Sequence, residues 1–140
     1  MHKVANSIDS LSLKTQIVRG DVPYREFVTI IRKTLSNHNS RIAVNYLRGP
    51  LFGFQKPKWI PIHTMIGILG GHFSPIVGIL ERDDEKKGDD PLVAIFDVNA
   101  SYGGTYLVPA TVLYESIRAM DFFSKQRRAL IVTERTKDTN

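Results

Sequence analysis

The chain has 140 residues, of which 42% are hydrophobic and 24% charged, with no cysteine and a formal net charge of +5. This size and balance predict one globular domain with its own core and exclude a disordered chain. The absence of cysteine excludes disulfide bonds, thiolate metal sites and a cysteine nucleophile within these residues. The positive charge would suit nucleic acid, but the basic residues are scattered except at Lys125–Arg128, so we expect no nucleic-acid partner.

The first predicted elements are a strand and an amphipathic helix. Leu11–Val18 alternates loosely between apolar and polar residues and ends at a glycine turn, which indicates a short strand. Apolar residues recur at helical spacing over Val22–Ser36. Asp21 is expected to cap this helix, because its carboxylate can accept a hydrogen bond from the first-turn amides. Pro23 then falls in the first turn, where its missing N–H costs nothing.

A second strand and a long connection come next. Arg41–Leu47 has β-type composition, and Leu51–Gly71 is rich in glycine, proline and aromatic residues, as functional or mobile connections often are. Trp59–Leu80 contains no charged residue, but its prolines, histidines and glycines favour a buried segment of a soluble protein over a membrane span. The N-terminus lacks the regions of a signal peptide, so we expect a cytoplasmic protein with no membrane partner.

Two apolar runs, His72–Glu81 and Pro91–Asn99, are joined by a charged linker and predict an antiparallel hairpin. His72 opens the first strand and Asp97 lies near the end of the second, so direct or nearly direct pairing would bring them together on one face. A carboxylate there would fix the imidazole tautomer and stabilise its protonated form, as in a nucleophile–base–orienter set. The same spacing also fits a structural pair, or a cap by Asp97 on the following turn.

Three small residues near this pair are candidate substrate contacts. Gly71 would let a substrate or another backbone approach the imidazole closely. Ser74 shares the strand face of His72, and Ser101 lies in the turn after Asp97. Neither serine stands in a nucleophile elbow, so serine hydrolysis is not expected. The other histidines have no carboxylate at ligand spacing, so we expect no metal site.

A second helix and a last strand complete the chain. Val108–Pro109 is expected to open the helix, and Arg127–Arg135 has the composition of a strand. The closely spaced strands favour an α+β domain with a largely antiparallel sheet. The predicted apolar face of the helix comprises Val112, Leu113, Ser116, Ile117 and Met120.

Three of these segments carry a family resemblance: GGHFSPIVGI at 70–79, AIFDVN at 94–99 and YLVPATVLYESIRAMD at 106–121. They resemble the phytochelatin synthase family, glutathione γ-glutamylcysteinyltransferases with a papain-like fold. In that family a G-H-F-S-P-like stretch carries the catalytic histidine and an L-D-V stretch the catalytic aspartate, which match His72 and Asp97 here. The resemblance covers most of the chain. It implies that residues 1–140 form a single, partial papain-like domain, α+β with a mainly antiparallel sheet and flanking helices, without the N-terminal segment that bears the catalytic cysteine.

The resemblance also implies the chemistry of phytochelatin biosynthesis and metal detoxification. A cysteine thiolate attacks the Cys–Gly bond of glutathione, glycine leaves, and the γ-glutamylcysteinyl group passes to another glutathione or to water. We expect this chain to be inactive alone. Its expected ligand is glutathione or a metal–glutathione complex, and its expected protein partner is a cysteine-bearing N-terminal half or a second copy of the chain. A heavy-metal ion such as Cd or Zn would arrive as the glutathione thiolate complex, as part of the substrate, and no cofactor would be bound by the chain itself.

Two departures from the family keep an alternative open. The family usually has an arginine three residues beyond the aspartate, where this chain has Ala100, and the nucleophilic cysteine is absent. Both are equally typical of a catalytically inactive papain-like domain that acts as a binding or regulatory partner. A papain-like half without its first helix would expose apolar surface, so self-association is also expected.

Overall fold

A computed structural model of the protein describes residues 12–47, 71–81, 90–98, 103–121 and 124–136. These residues form one antiparallel sheet with strand order β1-β6-β2-β3-β4-β5, together with two helices. The predicted α+β domain with a mainly antiparallel sheet is therefore confirmed, whereas its papain-like nature stays a prediction. The strands are β1 (Leu13–Arg19), β2 (Ser40–Leu47), β3 (Gly71–Leu80), β4 (Leu92–Asp97), β5 (Gly104–Pro109) and β6 (Ala129–Arg135), and the helices are α1 (Tyr24–Ser36) and α2 (Ala110–Arg118).

The core lies between the helices and one face of the sheet, called here the inner face. Burial alternates along β2, as expected for a strand with one face packed on a core. Val44 from β2, Ile95 from β4 and Leu113 from α2 are all fully buried in one cluster with the apolar side of α1. This packing positions the inner-face side chains of β3 and β4 beneath the helical layer.

Helix α1 begins later than its sequence pattern suggests. Pro23 occupies the position before the first helical residue, and no side chain caps the helix. The prediction that Asp21 is the cap is wrong, because the helix starts at Tyr24 and Asp21 then lies too far from the first-turn amides. The amide of Phe27 instead donates to the carbonyl of Pro23, at 3.0 Å.

Strand β5 is an element that the sequence analysis missed. Gly104–Pro109 pairs with β4 along its whole length, where a turn and then a helix start were expected. Its residues do alternate, with Val108 buried and Leu107 half exposed, but six residues directly before a helix are a weak strand signal.

Helix α2 consequently starts at Ala110 rather than at Val108. The carboxylate of Asp90 holds its first turn by accepting hydrogen bonds from the amide and the hydroxyl of Thr111, at 3.0 and 2.8 Å. The helix ends at Arg118, so the expectation that Met120 belongs to its apolar face is wrong; Met120 is 58% exposed.

Candidate active site

His72 and Asp97 lie on the inner face at one end of the sheet. The register of β2 and β3 sets His72 opposite Tyr46 and Ser74 opposite Val44, and β3 meets β4 with Ile76 opposite Ile95. An antiparallel ladder continued from that last pair brings Ser74 opposite Asp97, so His72 is the diagonal neighbour of Asp97. The two side chains meet, as predicted, but across a diagonal and not as a direct pair.

The contact between them is a hydrogen bond. Nε2 of His72 lies 2.9 Å from Oδ1 of Asp97. The Asp97 side chain is 1% exposed and that of His72 is 23% exposed. A buried carboxylate accepts hydrogen bonds only, so the imidazole is the donor and carries its proton on Nε2 in this contact. The nitrogen that can receive a proton is therefore Nδ1.

This arrangement has the chemical capacity of a base and its orienter. A carboxylate that holds one imidazole nitrogen fixes the tautomer, directs the other nitrogen, and stabilises the positive charge when that nitrogen takes a proton. Because His72 is partly exposed, its imidazole is accessible to solvent, whereas the carboxylate of Asp97 is buried away from water. The roles of His72 and Asp97 in catalysis nevertheless remain predictions, because a structural ion pair has the same geometry.

Two tyrosines, which the sequence analysis did not single out, border the pair. Tyr46 is fully buried, and its ring stands nearly perpendicular to that of His72, with centroids 5.6 Å apart. Its hydroxyl lies 2.6 Å from the hydroxyl of Tyr106 and 3.3 Å from that of Ser74. Tyr46 lies two residues after buried Val44 in β2, so the alternating strand pattern places both on the inner face, but only the register reveals that Tyr46 lies opposite His72.

The predicted substrate contacts have different surroundings. Ser74 is 1% exposed, and its hydroxyl is engaged with Tyr46. At Gly71 the close neighbour is the guanidinium of Arg128, which a Cβ on Gly71 would overlap. Ser101 lies outside the described residues. Contact of any of these three with a substrate stays a prediction.

Arg128 is a buried charge that lies against Gly71, the first residue of β3. Its side chain is 1% exposed, Nη1 donates to Oδ1 of Asn45 at 3.2 Å, and Nη2 lies 3.7 Å from a carboxylate oxygen of Asp121. Burial lowers the pKa of Arg128, and the negative charge of Asp121 partly opposes that effect. The group stays protonated, as guanidinium groups in proteins do. It therefore joins the start of β6 to β2 through Asn45 and to the residues after α2 through Asp121, and its Nη1 lies against Gly71.

Helix α2 is tied to the same end of the sheet. The hydroxyl of Ser116 accepts a hydrogen bond from the amide of Leu47 at 3.1 Å and donates one to the carbonyl of Leu47 at 2.7 Å. Leu47 is the register partner of Gly71 and follows Tyr46 directly. Two reciprocal hydrogen bonds thus connect the helical layer to the strand ends that carry the candidate site.

The described residues contain no cluster of three or more histidine, aspartate or glutamate side chains that could hold a metal ion. Nor do they include a helix of the length and apolar character that crossing a membrane requires. Comparison of the sequence with models of known protein families finds no match, and comparison with curated proteins finds none either. The resemblance to phytochelatin synthases consequently rests on the residues quoted above.

Proposed function

We propose that this chain supplies the base and the orienting carboxylate of a phytochelatin-synthase-like acyl-transfer site, a glutathione γ-glutamylcysteinyltransferase. The observation that carries the proposal is the hydrogen bond of 2.9 Å between Nε2 of His72 and buried Asp97. Since the 140 residues contain no cysteine, the thiol nucleophile comes from outside these residues.

In this mechanism His72 moves the proton at two steps. Nδ1 first takes the proton of the thiol, whose thiolate attacks the carbonyl of the Cys–Gly bond. The imidazolium, stabilised by Asp97, then gives that proton to the amine of the departing glycine, which leaves a thioester. The amine of a second glutathione, whose thiol is bound to a heavy-metal ion, or a water molecule then attacks the thioester. The C–S bond breaks, the γ-glutamylcysteinyl group passes to the acceptor, and the acceptor's proton returns through His72 to the released thiol.

The proton-handling half can be tested without a partner. An oriented imidazole hydrolyses an activated ester such as p-nitrophenyl acetate, and general-base catalysis of this kind contributes about 10²–10⁴-fold. We expect His72→Gln to abolish the protein-dependent rate and Asp97→Asn to lower it by about tenfold or more. His38→Gln is the matched control, because His38 is exposed on the turn before β2. Equal rates for the wild type and both site variants would overturn the proposal.

The full reaction requires a cysteine. We expect the chain alone, mixed with glutathione and Cd²⁺, to release no glycine, because loss of the nucleophile from such a set costs several orders of magnitude in rate. Addition of the cysteine-bearing N-terminal half of a phytochelatin synthase should restore release with the wild type and not with His72→Gln. Turnover by the chain alone would contradict the need for a cysteine from outside these residues, and no turnover of the mixture would contradict the assigned substrate.

The missing cysteine and Ala100 favour a second candidate, a catalytically inactive papain-like domain that binds a partner. The two candidates differ in their response to His72→Gln. A binding domain would hold glutathione, measured by calorimetry, with the same affinity before and after the substitution and without any esterase activity. An acyl-transfer half would lose its esterase activity.

A further inference from the structure

Two tyrosine side chains form a bridge across the inner face. Tyr46 lies on β2 and Tyr106 on β5, and the strands between them are β3 and β4, which carry His72 and Asp97. The two hydroxyls are 2.6 Å apart, a short hydrogen bond. The pair of phenols therefore spans four strands next to the histidine and the aspartate.

The hydrogen bond to Asp97 does not by itself fix the imidazole. The hydrogen bond through Nε2 constrains the position of that nitrogen more than it constrains the tilt of the ring plane. The ring of Tyr46, which stands at 81° to that of His72 with centroids 5.6 Å apart, contacts it from the neighbouring strand. Edge-to-face contacts of this kind are directional. A second contact from a different direction restricts that tilt.

Tyr46 is in turn held at its far end. Its side chain is fully buried, and a buried hydroxyl needs a partner. Tyr106 and Ser74 provide oxygens at 2.6 and 3.3 Å. We propose that Tyr46 is the positioning residue of His72 and that the hydroxyl of Tyr106 holds Tyr46 in place. This inference rests on the proposed function, because orienting Nδ1 of His72 serves catalysis only if Nδ1 accepts a proton in the reaction.

The test reads the imidazole directly, by the ¹⁵N chemical shifts of the ring nitrogens in labelled protein, without substrate or thiol. In the wild type, the neutral ring should carry its proton mainly on Nε2. Loss of either hydroxyl should let the Tyr46 ring shift and the imidazole tilt, which weakens the hydrogen bond to Asp97 that sets the tautomer. We therefore expect Tyr46→Phe and Tyr106→Phe each to lower the ratio of the Nε2–H to the Nδ1–H tautomer by about twofold or more. The double variant should show no larger change than Tyr46→Phe alone, because that substitution already removes the hydroxyl that Tyr106 holds.

Tyr114→Phe is the matched control. The hydroxyl of Tyr114 donates to the carbonyl of Val22 at 2.8 Å, so its loss also removes one partly buried phenol hydrogen bond. If the loss of any tyrosine hydroxyl altered the His72 tautomer, Tyr114→Phe would change the tautomer ratio as much as Tyr46→Phe does. An unchanged tautomer ratio in folded Tyr46→Phe and Tyr106→Phe proteins would overturn the proposal. If these variants fail to fold, a lack of nuclear Overhauser contact between the rings of Tyr46 and His72 in the wild type would overturn it, and its presence would support it.

Failure of this inference and failure of the proposed function give different results. A tautomer ratio that responds to the tyrosines, in a protein without esterase activity, would keep the positioning role and remove the proposed function. If the esterase activity depends on His72 but the tautomer ratio is the same in the tyrosine variants as in the wild type, the proposed function would stand and the positioning role would be removed.

Discussion

The carboxylate of Asp97, only 1% exposed, receives a hydrogen bond of 2.9 Å from the imidazole of His72. A charge buried to this degree is costly unless it is hydrogen-bonded, so each residue of the pair depends on the other. The relationship makes the pair important for stability as well as for the chemistry proposed for it.

We expect Asp97→Asn to lower the free energy of unfolding by about 1–3 kcal/mol, the usual cost of disturbing a buried hydrogen bond to a charged group. His72→Gln should cost a similar amount, and the double variant should cost less than the two together because the residues are in contact. Urea unfolding monitored by circular dichroism measures all three.

Glu115→Gln is the control for this prediction. Glu115 pairs with Arg118 on the surface of α2, with both side chains well exposed, and such pairs contribute about 0.5 kcal/mol or less. If Asp97→Asn cost no more than Glu115→Gln, the buried hydrogen bond would not stabilise the fold.

Gly71 is expected to resist substitution because of Arg128. A Cβ at Gly71 would overlap Nη1 of Arg128 and lie 2.8 Å from Oδ1 of Asn45, and the guanidinium, with its side chain 1% exposed, has little room to move. Gly71→Ala should therefore lower the free energy of unfolding by about 1–3 kcal/mol, the usual cost of overpacking. Thermal and urea unfolding measure the loss.

A glycine in the same strand offers the comparison. A Cβ at Gly78 would meet only the Cβ of Ala94, at an ordinary 3.5 Å, so Gly78→Ala should change stability far less. Combining Gly71→Ala with Arg128→Met should show a coupling of about 1 kcal/mol, since the methionine lacks the overlapped atom. Additive costs in this cycle would rule out the guanidinium as the cause.

Glu81 adds a pH-dependent contribution at the end of β3. Its two carboxylate oxygens accept hydrogen bonds of 2.8 and 2.7 Å from Arg32 on α1, and these bonds hold its pKa below the usual 4.5, against a small opposing effect of desolvation. A carboxyl group with a lowered folded-state pKa stabilises the fold above its ordinary pKa and loses that contribution as the pH falls through the lowered value.

Glu81→Gln should therefore cost about 0.5 kcal/mol or less at pH 7, because the pair is exposed, and nothing at a pH well below 4.5. Urea unfolding of wild type and variant at several pH values tests this, and Arg32→Gln should give the same pH dependence. If the difference in free energy of unfolding between wild type and Glu81→Gln grew as the pH fell, the ion pair would not stabilise the fold in the way stated.

The outer face of the sheet, opposite the helices, is the site at which we expect self-association. On strands β3 and β4 it exposes Phe73, Val77 and Phe96, and directly after β4 it exposes Val98; each is between 43% and 62% exposed. Apolar patches of this kind usually mark contact surfaces. Light scattering should show a mass above that of the monomer.

Val77→Lys combined with Phe96→Lys should return the protein to a monomer, because both substitutions charge the centre of that face. Met120→Lys is the control, since Met120 is equally exposed, at 58%, but lies outside the strands. A monodisperse wild-type monomer would contradict the prediction.

Much of the fold and part of the candidate site could be predicted from sequence. Helix α1 follows from the helical spacing of apolar residues within Tyr24–Ser36. The β3–β4 pair follows from the two apolar runs on either side of the charged linker. Each of these patterns lies within a short segment of the sequence. The same hairpin brings His72 near Asp97. Strand β5 escaped prediction because its short alternation gains stability only from pairing with β4.

The sequence by itself determined the type of most elements, the absence of any internal cysteine nucleophile, and the proximity of His72 to Asp97. Only the tertiary structure decided that β6 lies between β1 and β2 and that the register shift between Ile76 and Gly78 sets Ser74 opposite Asp97, with His72 as the diagonal neighbour. It also decided that Tyr46 packs against His72 and that Arg128 lies against Gly71. The physical reason is that periodicity reports which face a residue buries, whereas the partner on that face is chosen by long-range pairing and packing.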